Sequence, residues 1–274
     1  MNLFLHVGDR RPDGYHELQS LVAFTRAGDE LSFAPGQEFK LDIQGPFADA
    51  LTSDSDNLVL KAARALAEHA GVRDGAHIVL TKNLPVASGI GGGSADAAAT
   101  LRGLAQLWNL GLPHDVLRRI GETLGSDIPV CVECKSTWME GRGERVAVLN
   151  GIPAAAMVLV NPGVAVPTGR VFAALKERCG VGLPRPPKMQ NAVELVAYLK
   201  TTANDLEAPA REIAPVIGDV LDALASRTGA LLSRMSGSGA TCFALFESDE
   251  FATAATRALN ARNRGWWIMS SRIG

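Results

Sequence analysis

Nothing in these 274 residues approaches the run of about 18 apolar residues that a membrane span needs. The longest apolar stretch, Ile152–Val160, is roughly half that length and stops at Asn161-Pro162. The N-terminus is apolar only over Leu3–Leu5 before Asp9, Arg10 and Arg11, so it does not read as a secretory leader. Charge of one sign is also missing. The 27 Lys and Arg nearly balance 29 Asp and Glu, for a formal net charge of −2, which removes whole-molecule attraction to nucleic acid or acidic lipid. A local basic pocket for a phosphorylated ligand is untouched by that count. Cysteine is scarce, at four residues, and Cys131 and Cys134 form a lone Cys-x-x-Cys with no second pair and no His-x-x-x-His at zinc-finger spacing. The pair sits in the apolar run Ile128–Val132, which reads as a buried strand, and free cysteine packs as a small hydrophobe. Reduced thiols and the missing leader and span together point to a soluble, cytoplasmic protein.

What is present is ordinary globular material, 47% apolar and 20% charged, long enough for one large domain or two medium ones. Short β-like runs alternate with helical patterns. Asn2–Val7, Leu18–Phe24, Glu30–Ala34, Phe39–Ile43 and Ala76–Thr81 read as strands, and Asn57–Ala70 as an amphipathic helix stopped by Gly71. Helices are expected near Ser94–Trp108 and Asp115–Leu124, followed by strands at Val130–Glu133, Ser136–Glu140 and Arg145–Val148. After Asn150 the pattern is a strand at Ala154–Val160, a proline-rich loop at Val181–Lys188, and helices near Ile213–Ser226 and Glu250–Ala261. These flank strands at Leu231–Met235 and Thr241–Glu247, and a closing strand at Trp266–Met269 follows. The reading is α+β in two domains, 1–150 and 151–274.

The densest signal runs Pro85-Val86-Ala87-Ser88-Gly89-Ile90-Gly91-Gly92-Gly93-Ser94-Ala95-Asp96-Ala97-Ala98-Ala99. Glycines 89, 91, 92 and 93 permit positive φ and let successive N–H groups converge on an anion. The helix that follows aims its free N-terminal N–H groups and its positive dipole end at the same point. Ser94 adds a hydroxyl that can cap the helix or meet phosphate or a metal-bound water, and the alanines leave little bulk beside a ligand. A Walker loop needs a Lys after the last glycine, where Ser94 stands. A dinucleotide fingerprint needs a glycine where Ser94 again stands, and it opens a parallel βαβ unit that the α+β pattern does not favour. The bland alternative is a linker or structural turn, but Pro85 and the immediate helix argue for an ordered loop.

Pro-x-x-x-Gly-Ile-Gly-Gly-Gly-Ser-Ala-Asp-Ala resembles the ATP-binding motif of the GHMP kinases, the family of galacto-, homoserine, mevalonate and phosphomevalonate kinases. Ser233-Arg234-Met235-Ser236-Gly237-Ser238-Gly239-Ala240-Thr241, which alone could be a hairpin turn, is similar to the family's third motif. The resemblance implies that this turn packs against the phosphate loop. Arg11-Pro12-Asp13-Gly14-Tyr15-His16, behind Asn2-Leu3-Phe4-Leu5-His6-Val7, resembles the branch whose acceptor is a cytidine diphosphate sugar alcohol of the non-mevalonate isoprenoid route. Under that resemblance Tyr15 stacks on the cytosine, His16 bonds the base edge and Phe172 gives the other stacking face. Gly125-Ser126-Asp127-Ile128-Pro129-Val130 resembles the segment carrying the family's catalytic carboxylate, Asp127; read alone, Asp127 could merely cap a turn. Glu140–Glu144 and Asn204-Asp205-Leu206-Glu207 match further segments, so the likeness spans the chain in order.

The resemblance therefore implies a ribosomal-protein-S5-like N-terminal domain and a ferredoxin-like C-terminal domain. It implies ATP on Pro85, Ala87, Ser88, Gly89, Ile90, Gly91, Gly92, Gly93, Ser94 and Ala95, closed by Ser236, Gly237, Ser238 and Gly239, with Mg²⁺ bridging the β- and γ-phosphates. Asn2 and Asp127 would face the acceptor hydroxyl. The partners are then two small molecules, without nucleic acid or membrane, in a monomer or homodimer. The alternatives are another kinase of the family, such as a homoserine kinase, and a nucleotide-binding member without catalysis. The family places a Lys two residues before the Asn of strand one, whereas here Met1 directly precedes Asn2. The expectation is a start lying upstream or a trimmed chain; if the chain is complete as written, charge stabilisation at the transferring phosphoryl group is weaker.

Overall fold

The computed structural model describes residues 1–86 and 88–274. Its strands are β1 (Asn2–Arg10), β2 (His16–Val22), β3 (Glu30–Gly36), β4 (Lys40–Gln44), β5 (Gly75–Thr81), β6 (Thr137–Gly141), β7 (Arg145–Val148), β8 (Ala155–Asn161), β9 (Ala230–Met235), β10 (Cys242–Phe246) and β11 (Trp267–Ile273). Its helices are α1 (Leu58–Ala70), α2 (Gly92–Leu107), α3 (His114–Glu122), α4 (Ile128–Glu133), α5 (Thr168–Ala173), α6 (Ala192–Leu199), α7 (Glu207–Ile213), α8 (Val216–Ala225) and α9 (Asp249–Arg262). They fall into two compact units that interleave along the chain: 1–27 with 87–90 and 135–274, and 28–86 with 91–134.

The first unit contains two antiparallel four-stranded sheets, ordered β1-β2-β6-β7 and β11-β8-β10-β9. Side chains alternate faces along a strand, so one face of each sheet can be wholly apolar. Leu3, Phe4, Leu21 and Trp138 from the first sheet join Met157, Leu159, Phe243 and Leu245 from the second in one buried cluster, with Leu195, Val196 and Leu199 of α6. β8 is buried at every residue. Ala155, Met157 and Leu159 enter the shared cluster, while Ala156, Val158 and Val160 alternate onto its other face, and α9 packs on β8. That explains a strand that reads as a continuous apolar run rather than an alternating one.

The second unit pairs β5 antiparallel with β3 and parallel with β4, and packs α2 against α1, α3 and α4. α1 is bounded as its sequence dictates. Asn57 Oδ1 accepts the Val59 N–H at 2.9 Å, and Gly71 closes the helix in the left-handed region at φ 66°. α2 approaches β3 so closely that a Cβ on Gly103 would stand 2.2 Å from the Phe33 ring.

The strand expected at Val130–Glu133, and the buried strand read over Ile128–Val132, are instead α4. Pro129 lies in its first turn, where a missing N–H costs nothing and the fixed φ suits a helix, and Cys134 ends it in the left-handed region at φ 49°. Cys131 is buried and Cys134 exposed, both as free thiols. Burial pushes the Cys131 thiol up to about 12, an inert core group.

Candidate active site

In the first unit the glycine loop and the Ser236–Gly239 turn meet backbone to backbone. Gly89 has φ 75°, and a Cβ there would stand 2.3 Å from the Gly239 carbonyl oxygen. Gly237 has φ 56°, and its Cβ would fall 2.6 Å from the Gly89 carbonyl oxygen. Only glycine tolerates both the positive φ and that approach. The Thr241 N–H donates to the Ser88 carbonyl at 3.0 Å, and Ser236 Oγ donates to the Gly89 carbonyl at 3.3 Å while accepting the Asn2 N–H at 3.0 Å. Asn2 Nδ2 in turn donates to Ser20 Oγ at 2.9 Å, and Ser238 Oγ lies 2.8 Å from Thr168 Oγ1. Asn2, Ser88, Gly89, Ser236, Gly237 and Gly239 are therefore brought together; Ile90 follows in the same loop, half-buried. Ala87 lies outside the described residues.

Three residues from the Asn204–Glu207 segment and its surroundings hold that turn. Asn204 Nδ2 donates to the Met235 and Gly237 carbonyls, both at 2.8 Å, and Glu207 Oε2 accepts the Met235 N–H at 2.9 Å. Arg234 is buried and donates to the Leu3, Leu199 and Thr202 carbonyls and to Thr202 Oγ1 at 2.6–3.0 Å. A buried guanidinium satisfied this fully is a rigid foundation for the motif it starts.

His16 stacks on Phe172 with ring centroids 5.6 Å apart and planes 22° apart. Its Nδ1 is 3.2 Å from the Gly8 carbonyl, which can only accept, so Nδ1 carries the proton and neutral His16 keeps a lone pair on Nε2. Tyr15 is not in that stack. Its ring is 56% exposed and lies under the Arg142 guanidinium, with Cζ 5.2 Å from the ring centroid.

In the second unit Pro85 is buried at the entrance to the loop, Gly91 is the N-cap of α2 at φ 75°, and no side chain caps the helix. Gly92, Gly93, Ser94 and Ala95 form the first turn; the Ala95 N–H donates to the Gly91 carbonyl at 2.9 Å, and the N–H groups of Gly92, Gly93 and Ser94 ahead of it are free for an anion. Asp127 immediately precedes α4 and makes no side-chain cap bond to it. The residue reaches solvent, yet protein atoms crowd its carboxyl, and that desolvation raises its pKa above the ordinary carboxylate value, partly offset by the Ser126 side chain. A carboxylate held this way is a better proton acceptor than a free one.

Reading the sequence missed a buried charge triad in this unit. Lys82 Nζ lies 2.5 Å from Asp29 Oδ2 and 2.9 Å from Asp96 Oδ2, with all three side chains 2–6% exposed. Asp29 Oδ1 also accepts the Asn83 and Leu84 N–H groups at 2.7 and 2.9 Å. The triad thus grips the chain just before Pro85 and again at Asp96 in α2, the two ends of the glycine loop. Burial pushes Asp96 up to about 7 against the pull of Lys82. The polar pair Lys82-Asn83, between the end of β5 and Leu84-Pro85, was the available signal.

One group of His, Cys and carboxylate donors clusters among the described residues, His6, Cys179 and Asp205. It is closed by its own hydrogen bonds. Asp205 Oδ2 accepts the Val7 and Cys179 N–H groups, and His6 Nε2 accepts the Ala203 N–H at 3.1 Å. Neutral His6 then has its proton on Nδ1 and no lone pair to offer. No helix among the described residues is long and apolar enough to cross a membrane.

The profile described as GHMP kinases N terminal domain matches residues 57–135, and that described as GHMP kinases C terminal matches 189–265. A 4-diphosphocytidyl-2-C-methyl-D-erythritol kinase of Parvibaculum lavamentivorans is 48% identical over 277 aligned positions, covering 100% of this chain and 96% of the relative. One of Cereibacter sphaeroides is 50% identical over the same spans. A crystal structure of 4-(cytidine 5′-diphospho)-2C-methyl-D-erythritol kinase superposes with a TM-score of 0.78 at 33% identity, covering 100% of this chain and 96% of that one. A homoserine kinase from Cytophaga hutchinsonii, 19% identical with a TM-score of 0.66 over 94% of this chain and 88% of its own, shares the fold.

Proposed function

The chain belongs to the GHMP kinase family, within its 4-diphosphocytidyl-2-C-methyl-D-erythritol kinase branch, and from that premise we propose that it transfers the γ-phosphoryl group of ATP to the 2-hydroxyl of 4-diphosphocytidyl-2-C-methyl-D-erythritol, a step of isoprenoid precursor synthesis. The observation that carries the reading is the uncapped start of α2 behind a loop in which Gly89 cannot take a side chain without striking the Gly239 backbone. That arrangement is built to receive phosphate. The two profile matches fall on either side of residue 150, which supports 1–150 as the ATP-binding domain and 151–274 as the C-terminal domain.

In this reading Gly92–Ser94 direct N–H groups at the nucleotide phosphates, and Ser236–Gly239 hold Gly89 of the same loop within the first unit. Mg²⁺ arriving with the nucleotide would supply charge neutralisation at its phosphates. Ser94, a hard oxygen donor in the uncapped first turn of α2, fits that ion. His16 offers the Nε2 lone pair to the exocyclic amine of cytosine, with Phe172 and Tyr15 supplying aromatic faces. Asp127 takes the proton of the acceptor hydroxyl as that oxygen bonds to the γ-phosphorus and the bond to the ADP leaving oxygen breaks. Positioning and charge neutralisation supply most of the rate. The reaction belongs in the cytoplasm and needs no second subunit's residues in this scheme. A coupled ADP-release assay over a panel of acceptors tests it: turnover is expected with the cytidine diphosphate methylerythritol and not with homoserine or mevalonate. Equal turnover with homoserine, or ATP binding without acceptor-dependent release, would sink the reading.

A further inference from the structure

The turn between β6 and β7, Gly141-Arg142-Gly143-Glu144, has no part in the chemistry above, yet it is built with care. Gly141 and Gly143 take φ 75° and 119°, and Glu144 Oε2 accepts the Arg142 N–H at 2.5 Å. β6 pairs with β2 in a register that sets Gly141 opposite Leu18, so the turn lies beside the loop that bears Tyr15. That loop is equally fixed. The Arg11 N–H donates to the Tyr15 carbonyl at 2.7 Å, the Tyr15 N–H to Asp13 Oδ1 at 3.1 Å, and the Gly14 N–H to the Arg11 carbonyl at 3.0 Å. Two of the neighbouring cations are committed to carboxylates: Arg11 to Glu17 at 2.8 Å and Asp13 at 3.3 Å, and Arg145 to Glu17 at 3.4 Å. Arg142 differs. Its nearest carboxylate oxygen, Asp13 Oδ2, is 4.0 Å away, and its Nε is buried with no hydrogen-bond partner among the described residues. Its defined contact is the face of the Tyr15 ring, at 5.2 Å.

A guanidinium placed on one face of a phenol ring does two things. It restrains the ring's torsions, and it leaves the opposite face open for a planar ligand. We infer that Arg142 is a positioning residue for the acceptor: it holds Tyr15 as a ready-made platform for the cytosine, strengthening acceptor binding without taking part in phosphoryl transfer. This rests on the proposed acceptor. Freezing the ring before the ligand arrives lowers the ordering cost of binding, which appears in KM for the acceptor rather than in kcat.

The test is a double-mutant cycle in the full chain with Arg142→Met, which keeps the side-chain length and removes the charge, and Tyr15→Leu. Arg142→Met should raise the acceptor KM about two- to five-fold, the range of a partly exposed cation–π contact, and leave kcat and the KM for ATP unchanged. Arg142→Lys should restore most of the loss. In the Tyr15→Leu background Arg142→Met should have no further effect. An unchanged or lower acceptor KM for Arg142→Met, or an equal penalty in both backgrounds, overturns the inference. If the parent chain does not turn over the acceptor, the proposed function fails separately, and calorimetric titration with cytidine 5′-diphosphate reads the same cycle: a coupled loss upholds the role of Arg142 and no coupling refutes it.

Discussion

Replacing Lys82 by methionine removes one charge from the triad while preserving volume. Both partners, Asp29 and Asp96, are then left buried without their cation, where they lay 2.5 and 2.9 Å from Nζ. Breaking a buried pair from one side costs about 3–5 kcal/mol, because the remaining charge is neither hydrated nor paired. Two features set this case near the lower limit. Asp29 keeps the Asn83 and Leu84 N–H groups, and Asp96, already pushed up to about 7 against the pull of Lys82, rises further without that cation and can take a proton instead of standing as a bare charge. A loss of about 3 kcal/mol corresponds to a fall in Tm of roughly 6–12 °C for a chain of this size. Calorimetric melts at pH 8 measure it directly. Because the triad grips Leu84 and Asp96, slack there should also raise the KM for ATP more than that for the acceptor. A Tm within about 1 °C of the parent, with KM for ATP unmoved, would refute the claim that the triad fixes the loop ends.

Three further outcomes follow from the same structure. Gly89→Ala places a Cβ 2.3 Å from the Gly239 carbonyl oxygen at φ 75°, so ATP binding measured by calorimetry should fall at least tenfold, about 1.4 kcal/mol, while Gly169→Ala, in open space, should leave it alone. Asp127→Asn should abolish turnover while sparing ATP binding; in the parent, kcat/KM should fall on the acid side with an apparent pKa above the ordinary carboxylate value, as the raised pKa of Asp127 requires. Asp96, at about 7 in the folded chain against 3.8 as its reference, holds a proton in the native state that the unfolded chain has lost. Its contribution is therefore full below about pH 4 and declines as pH rises toward 7, so melts from pH 5 to 8 should show the parent losing stability relative to Asp96→Asn. A constant difference across that range would contradict the assignment.

The glycine loop was legible because its signal is local: four glycines set between Pro85 and an alanine-rich helix define a turn and a helix start without knowledge of any distant residue. The same holds for α1, whose Asn57 and Gly71 are both written in the sequence where the helix begins and ends. α4 was misread because six residues are too few to show a helical period, and Val130 and Val132 suit a strand equally well. Pro129 carried the information, since it fits a first helical turn. The triad was hidden for another reason. Asp29, Lys82 and Asp96 lie 53 and 14 residues apart in sequence, and no local rule pairs a charge with a partner on another element. Arg142 was noticed within its segment, but its place over Tyr15 follows from the register of β2 and β6, which only the folded sheet supplies.

The central claim, transfer of the ATP γ-phosphoryl group to a hydroxyl of the cytidine diphosphate methylerythritol, is tested most directly by phosphorus NMR of the full chain with both substrates and Mg²⁺. The expected spectrum shows a new phosphomonoester resonance growing in step with ADP while the acceptor's diphosphate resonances persist. ADP without a phosphomonoester, or cleavage of the acceptor's own diphosphate, would contradict it.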